Sequence, residues 1–281
     1  MPQFRADRFA SIYAFHPLQR LRTQRNRIPI LMYHSISDSD ESDRHPYYRT
    51  TTAPATFDRH LRFLHDSGYR TIGIGDAVQQ LSAHPNKSEK VVVITFDDGF
   101  EDFYSEAFSL LSKYGYSATM FLPTAYIDRA GVKFRGVKCL TWNQVRELRA
   151  GGMQFGSHTA THPQLTSLAP GAIKEELQSS KQKIEDELGG VITSFSYPFA
   201  FPEANHTFRR QLSGLLQETG YEDGVSTIIG TACESDDRFS IKRLPVNSCD
   251  DLPLLRAKLA GGYDWLHTLQ RAAKRRPTLG H

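Results

Sequence analysis

Cysteine is scarce in this chain: Cys139, Cys233 and Cys249 are all it has, they lie far apart, and no two form a Cys-x-x-Cys pair. A disulfide framework is read from an even number of cysteines and a thiolate zinc site from close pairs, so neither is supported. No run of about 18 apolar residues occurs, which rules out a spanning helix. The stretch after Met1 also lacks an apolar core of about 7 to 15 residues followed by a small-residue cleavage site, so a secretory signal is not expected. The expectation is a cytoplasmic protein, or one lying peripherally at the inner face of the membrane. Glycine and proline, at 20 and 14 of 281 residues, are too few for a collagen-like chain, and 39% apolar content excludes disorder. The length fits one large domain or two small ones.

Charge of either sign is nearly balanced, at +3, but its distribution is uneven. Residues 1–27 carry six Arg against Asp7, and 267–281 carry Arg271, Lys274, Arg275 and Arg276 with no acid, which leaves −6 for residues 28–266. A mildly acidic body is a poor binder of phosphate backbones, so nucleic acid is excluded as the main partner. The aromatic and basic mixture Phe4, Arg5, Arg8, Phe9, Tyr13 and Phe15, with Arg20, Arg22, Arg25 and Arg27, suits either peripheral contact with an anionic membrane or a helix packed on the body with a solvated Arg face.

From residue 28 onward, short apolar runs alternate with helical periodicity. Strands are expected at 28–33, 71–74, 91–96, 118–122, 153–157, 192–197, 223–227 and 241–246. Helices are expected near 102–114, 142–150, 171–188 and 206–219, with Phe57, Leu61 and Leu64 marking one more helical face. Continuous apolar strands separated by helices indicate a parallel sheet covered on both faces. The expected fold class is α/β: a distorted parallel (β/α) barrel of about seven or eight strands, a single domain over 28–266, flanked by a basic arm (1–27) and a basic tail (267–281). Two polar loops, 37–52 and 128–138, are either functional lids or surface insertions.

Chemistry concentrates at the ends of these strands. Asp97 and Asp98 follow the run Val91 to Phe96, and two adjacent carboxylates there repel unless a cation or proton separates them. His158 and His162 follow the next-but-one strand, and two imidazoles four residues apart can converge on one metal, with one Asp completing a three-ligand site. His34 ends the first strand. In a parallel barrel all carboxyl ends open on one face, so these five ionisable residues from three strands would share one bowl.

With these residues in place, the chain resembles the polysaccharide deacetylase (NodB-homology) family of metal-dependent carbohydrate esterases over roughly 28–246. The resemblance rests on Thr95-Phe96-Asp97-Asp98-Gly99 and His158-Thr159-Ala160-Thr161-His162, in this order and about 60 residues apart. It implies that Asp97 is the catalytic base and that Asp98, His158 and His162 bind one divalent metal ion, commonly zinc. It further implies a hydrolase that removes N-acetyl groups from an N-acetylated amino sugar in a polysaccharide, oligosaccharide or glycolipid, releasing acetate.

The third motif of that family, Arg-x-Pro followed by an aromatic residue and Gly, is altered here to Ser196-Tyr197-Pro198-Phe199-Ala200. The oxyanion-binding N–H falls to Phe199, and the absent Arg leaves Arg243 as a substitute, its other reading being a surface cation. The family's usual general-acid His near the C-terminus has no match, since His267 sits in a helical tail and His281 is terminal. Leu31-Met32-Tyr33-His34 instead resembles the circularly permuted branch that includes exopolysaccharide deacetylases, which makes His34 the acid. Tyr33, Tyr47, Tyr48, Phe100, Trp142 and Tyr197 lie beside the motifs or loops and are the candidates for sugar stacking. Two alternatives stand: a small-molecule amidase or deformylase of the same fold, and a carbohydrate-binding pseudoenzyme, against which the retained Asp97 argues.

Overall fold

The run Val91–Phe96 has every side chain buried, as a strand covered on both faces requires. Its alternate residues divide between two cores: Val92, Ile94 and Phe96 pack outward against helices with Leu61 and Phe103, while Val91 and Val93 pack inward with Ile30, Phe121, Val225 and Ile241. This period of two places Thr95 and Asp97 on the interior side, above Val93.

The computed structural model describes residues 5–19, 26–83 and 89–274. The strands of its main sheet are β1 (Ile30–Tyr33), β2 (Arg70–Thr71), β3 (Val91–Phe96), β4 (Thr119–Leu122), β5 (Gln154–Ser157), β6 (Ser194–Ser196), β7 (Asp223–Ile229) and β8 (Ile241–Pro245). Seven of them form a closed parallel barrel in the order β1-β8-β7-β6-β5-β4-β3, the ring completed by Ile30 against Val93 and Tyr33 against Phe96. The short β2 lies outside the ring as an edge on β3. Closure sends all seven carboxyl ends to one mouth.

The strand expected at 71–74 is thereby shortened: only Arg70 and Thr71 pair, and a helix, Ile74–Ala83, begins at once. Its Ile74, Ala77 and Leu81 join the inner core with Val91 and Val225. Helices Pro54–Asp66, Trp142–Ala150, Pro170–Leu188 and His206–Glu218 cover the outside, and 103–113 is helical as expected. The Trp142–Ala150 helix starts on a reciprocal capping box between Thr141 and Gln144.

Residues 6–19 of the basic arm are helical and packed on the body. Arg5 pairs with Asp7 at 2.6 Å and donates to the Cys249 carbonyl, Arg8 pairs with Asp251 and Arg27 with Asp264. Phe15 stacks on Trp265 at 4.9 Å. The arm's described arginines are thus engaged by acids; Arg20, Arg22 and Arg25 lie outside the described residues. At the other end, the helix Trp265–Lys274 crosses the expected 266/267 boundary.

Candidate active site

Asp97 and Asp98 are neighbours with opposite surroundings. Asp97, the first residue past β3, points into the barrel mouth, where β8 brings Arg243. Interior parity places Arg243 on the same side as Ile241, and its guanidinium donates in a fork to both oxygens of Asp97, at 2.8 and 2.7 Å. The rest of that guanidinium is also used: Nε donates to the Ser226 carbonyl, and the terminal nitrogens donate to Thr95 Oγ1 and Ser196 Oγ. Ser196, from β6, donates to Asp97 as well. Arg243 is fully buried, so its reading as a surface cation is corrected: no surface charge would be extracted from water unless a partner repaid the desolvation. Burial opposes ionisation of Asp97, but the charge and hydrogen bonds of Arg243, with His158 and His34, together outweigh it and hold the carboxyl well below the usual carboxylate range.

Asp98 turns the other way because its backbone is left-handed, with φ of 75°. One carboxylate oxygen, Oδ1, lies 3.5 Å from Nε2 of both His158 and His162. The ligand atoms of these three buried residues all fall within 4.8 Å of one another. Gly99 follows with φ of 64°, and a Cβ there would meet Ile127 Cδ1 at 2.9 Å, so glycine is the residue this turn favours. Burial again works against ionisation of Asp98, and His158, His34 and Arg135 around it together outweigh burial and lower the pKa.

The two histidines converge through a tight loop rather than a helix face: Thr159 and His162 adopt φ of 65° and 57°. Thr159 Oγ1 accepts from the His162 N–H, and the carboxylate of Glu176 accepts from the Ala160 and Thr161 N–H groups and the Thr161 hydroxyl. His158 donates from Nδ1 to the Ser196 carbonyl at 2.7 Å, which leaves Nε2 bare toward Asp98. Burial pushes His162 down to about 3, so that imidazole stays neutral and available as a ligand. One carboxylate and two imidazoles, without thiolate, form a donor set suited to zinc or a similar divalent ion.

His34 ends β1 and faces the same cavity, of about 700 Å³, as Asp97, Asp98, His158, His162 and Phe199. Burial holds its pKa below the ordinary value of 6.5, although the charges of Asp98 and Asp97 pull it upward. Phe199 has φ of 60°, with its carbonyl accepting from Thr227 Oγ1 and its ring edge-on to His162 at 4.7 Å.

Of the six aromatic candidates, Tyr47, Tyr48 and Tyr197 line the cavity. Tyr33, Phe100 and Trp142 do not: Tyr33 is buried between Phe57 and Phe96 with its hydroxyl on His60, and the other two are packed in the core. The loop 37–52 delivers Tyr47, Tyr48, Arg49 and Thr50 to the cavity, and 128–138 contains a hairpin, Lys133–Phe134 with Val137–Lys138, that delivers Arg135. Glu176 and Arg135 were not apparent from sequence, since one is an ordinary helix position and the other lies in a polar loop.

A family model described as polysaccharide deacetylase matches residues 84–221. The chain is 33% identical over 221 residues to YxkH of Bacillus subtilis (strain 168), named as a candidate polysaccharide deacetylase, covering 79% of this chain and 72% of that protein. It is 28% identical over 144 residues to the poly-beta-1,6-N-acetyl-D-glucosamine N-deacetylase of Escherichia coli (strain K12), covering 48% of this chain and 21% of that protein. Among solved structures, the Streptococcus pyogenes deacetylase PplD in complex with acetate matches with a TM-score of 0.73 at 26% identity, over 84% of this chain and 99% of that one. IcaB from Ammonifex degensii shares the fold, with a TM-score of 0.66 at 22% identity over 84% of this chain and 98% of that one.

Proposed function

Because the chain belongs to the polysaccharide deacetylase family, we propose that it hydrolyses the acetamide of an N-acetylated amino sugar, releasing acetate and a free amine, with one divalent metal ion held by Asp98, His158 and His162. The observation that carries this reading is the division of labour between two adjacent carboxylates, one locked to a buried arginine and the other facing two imidazoles across a shared cavity. The Escherichia coli relative, named for a β-1,6-linked N-acetylglucosamine polymer, favours a polymeric substrate of that kind.

A bound ion of this class, with zinc the first expectation, supplies Lewis acidity toward a carbonyl oxygen and raises the acidity of bound water. The remaining roles belong to the chain. Arg243 keeps Asp97 ionised at every working pH and fixes its orientation, so Asp97 is always competent to accept a proton from an attacking water. The price of that pairing is low basicity, so the water must itself be acidified. The Phe199 N–H is the donor for the developing oxyanion, presented by its left-handed backbone. His34, once protonated, gives its proton to the departing sugar nitrogen. Tyr47 and Tyr48 offer ring faces for the sugar at the rim.

Acetate release from chitooligosaccharides, poly-N-acetylglucosamine, peptidoglycan fragments and nucleotide- or lipid-linked sugars, measured with zinc and with a chelator, tests the reading. Release from none of them in the metal-loaded protein would overturn it. No helix among the described residues is long and apolar enough to cross a membrane. Peripheral membrane contact is a separate proposal resting on Arg20, Arg22 and Arg25; Gln at all three should reduce pelleting with anionic vesicles, and unchanged pelleting would remove it.

A further inference from the structure

We propose that Arg135 is a positioning residue for the metal centre, holding the outer oxygen of Asp98 and the ring of Phe199 from the tip of the hairpin at 133–138. This inference rests on the metal-site reading above and adds a residue to it.

The guanidinium of Arg135 lies 3.4 Å from Asp98 Oδ2, the oxygen not turned toward His158 and His162. It also lies between two aromatic rings, 5.1 Å from Phe134 and 5.4 Å from Phe199. One cation therefore touches a proposed ligand carboxylate and the residue proposed to supply the oxyanion N–H. Contact with Oδ2 leaves Oδ1 as the oxygen offered to an ion, and hydrogen bonding of a ligating carboxylate by an outer partner strengthens a metal site.

The hairpin is fixed to the chain segment that carries Asp98. Leu140 N–H donates to the Gly99 carbonyl, Glu101 N–H donates to the Lys138 carbonyl, and Lys138 pairs with Glu101 at 2.5 Å. Phe134 is buried against Tyr126 at 4.5 Å and His162 at 5.0 Å. Arg135 and Gly136 form the two-residue turn, both at positive φ, 51° and 82°. Such turns select Asn, Asp or Gly at the first position. An arginine there is an outlier that local turn chemistry does not explain, and a placed side chain at a functional site does. A point charge on Lys would not reproduce a planar guanidinium set against both rings, so the residue type matters.

The test is zinc affinity, measured on the purified chain by competition with a chromophoric chelator. Arg135→Ala should weaken zinc binding about 10- to 100-fold, with an unchanged thermal midpoint for the metal-free protein, and Arg135→Lys should fall between. His158→Ala is the control: if it leaves zinc affinity unchanged, the metal reading itself fails. If His158→Ala loses zinc while Arg135→Ala binds it within twofold of the parent, or more tightly through relief of repulsion, the Arg135 proposal alone is overturned. A lowered midpoint of the metal-free Arg135→Ala protein would likewise overturn it, since the role would then be structural.

Discussion

The two ends of the barrel solve the same backbone problem with different residues. At the amino end, where helices return to strands, left-handed positions are occupied by Gly68, Gly115, Gly152, Gly189 and Gly220. At the carboxyl end Gly99, Gly131, Gly136 and Gly230 are joined by the described non-glycine residues with positive φ, Asp98, Asp128, Arg135, Thr159, His162 and Phe199, all in segments following barrel strands. Glycine adopts this conformation without a Cβ penalty, so the amino end is built for stability. The carboxyl end accepts strain in the segments that bring Asp98, His162 and Phe199 to one cavity, as functional sites do. The mouth also gathers the buried charges of Asp97, Asp98 and Arg243, while the amino end buries Asp223, the first residue of β7.

The largest effect that would break this contrast is at the proposed metal ligands. Chelation should abolish acetate release, with restoration by added zinc in the parent chain and not in His158→Ala; turnover by His158→Ala at the parent rate would remove the functional reason for the strained loop. Next is Arg243→Met, which strands a buried carboxylate and should cost about 3 to 5 kcal/mol in urea unfolding, with loss of activity; a change under 1 kcal/mol would show that the pair is not desolvated as described.

His34→Gln should lower turnover by about 10²-fold. The sign of its pH dependence is set by burial: as the proposed acid His34 acts when protonated, and its pKa lies below 6.5, so kcat/KM of the parent should fall as pH rises through that lowered value. Asp97, held low by Arg243, stays ionised on the acid side. Loss of the alkaline limb in His34→Gln is expected, and its persistence would assign it to another group. The smallest effect compares backbones directly. Gly152→Ala, with φ of 88° and nothing within 4 Å of the new Cβ, should cost about 1 to 2 kcal/mol through conformation alone. Asp128→Gly at the mouth should change stability by no more than about 1 kcal/mol. The reverse ordering in urea midpoints would erase the distinction between the ends.

The sequence carried the barrel because its strands are buried on both faces, so runs such as Val91 to Phe96 stand out without periodicity. It did not show that 71–74 is mostly turn and helix, because Thr71-Ile72-Gly73-Ile74 alternates as an edge strand does. Asp97, Asp98, His158 and His162 were legible from spacing, but their convergence depends on left-handed residues that no spacing reveals. Arg243 was only a candidate: its burial follows from its parity with Ile241, which requires the strand register. Arg135 and Glu176 were hidden for a simpler reason, since a polar hairpin and a helix surface look alike in sequence whether or not they support a site. Tyr33, Phe100 and Trp142 were overcounted because adjacency to a motif does not set which way a ring points.

The central claim is that two neighbouring carboxylates do different work, and parallel measurement of bound zinc and acetate release in Asp97→Asn and Asp98→Asn tests it most directly. The account predicts that Asp97→Asn retains about one zinc per chain with turnover reduced by at least about 10²-fold, while Asp98→Asn loses both. Parent-level acetate release from Asp97→Asn, or full zinc content in Asp98→Asn, would contradict it.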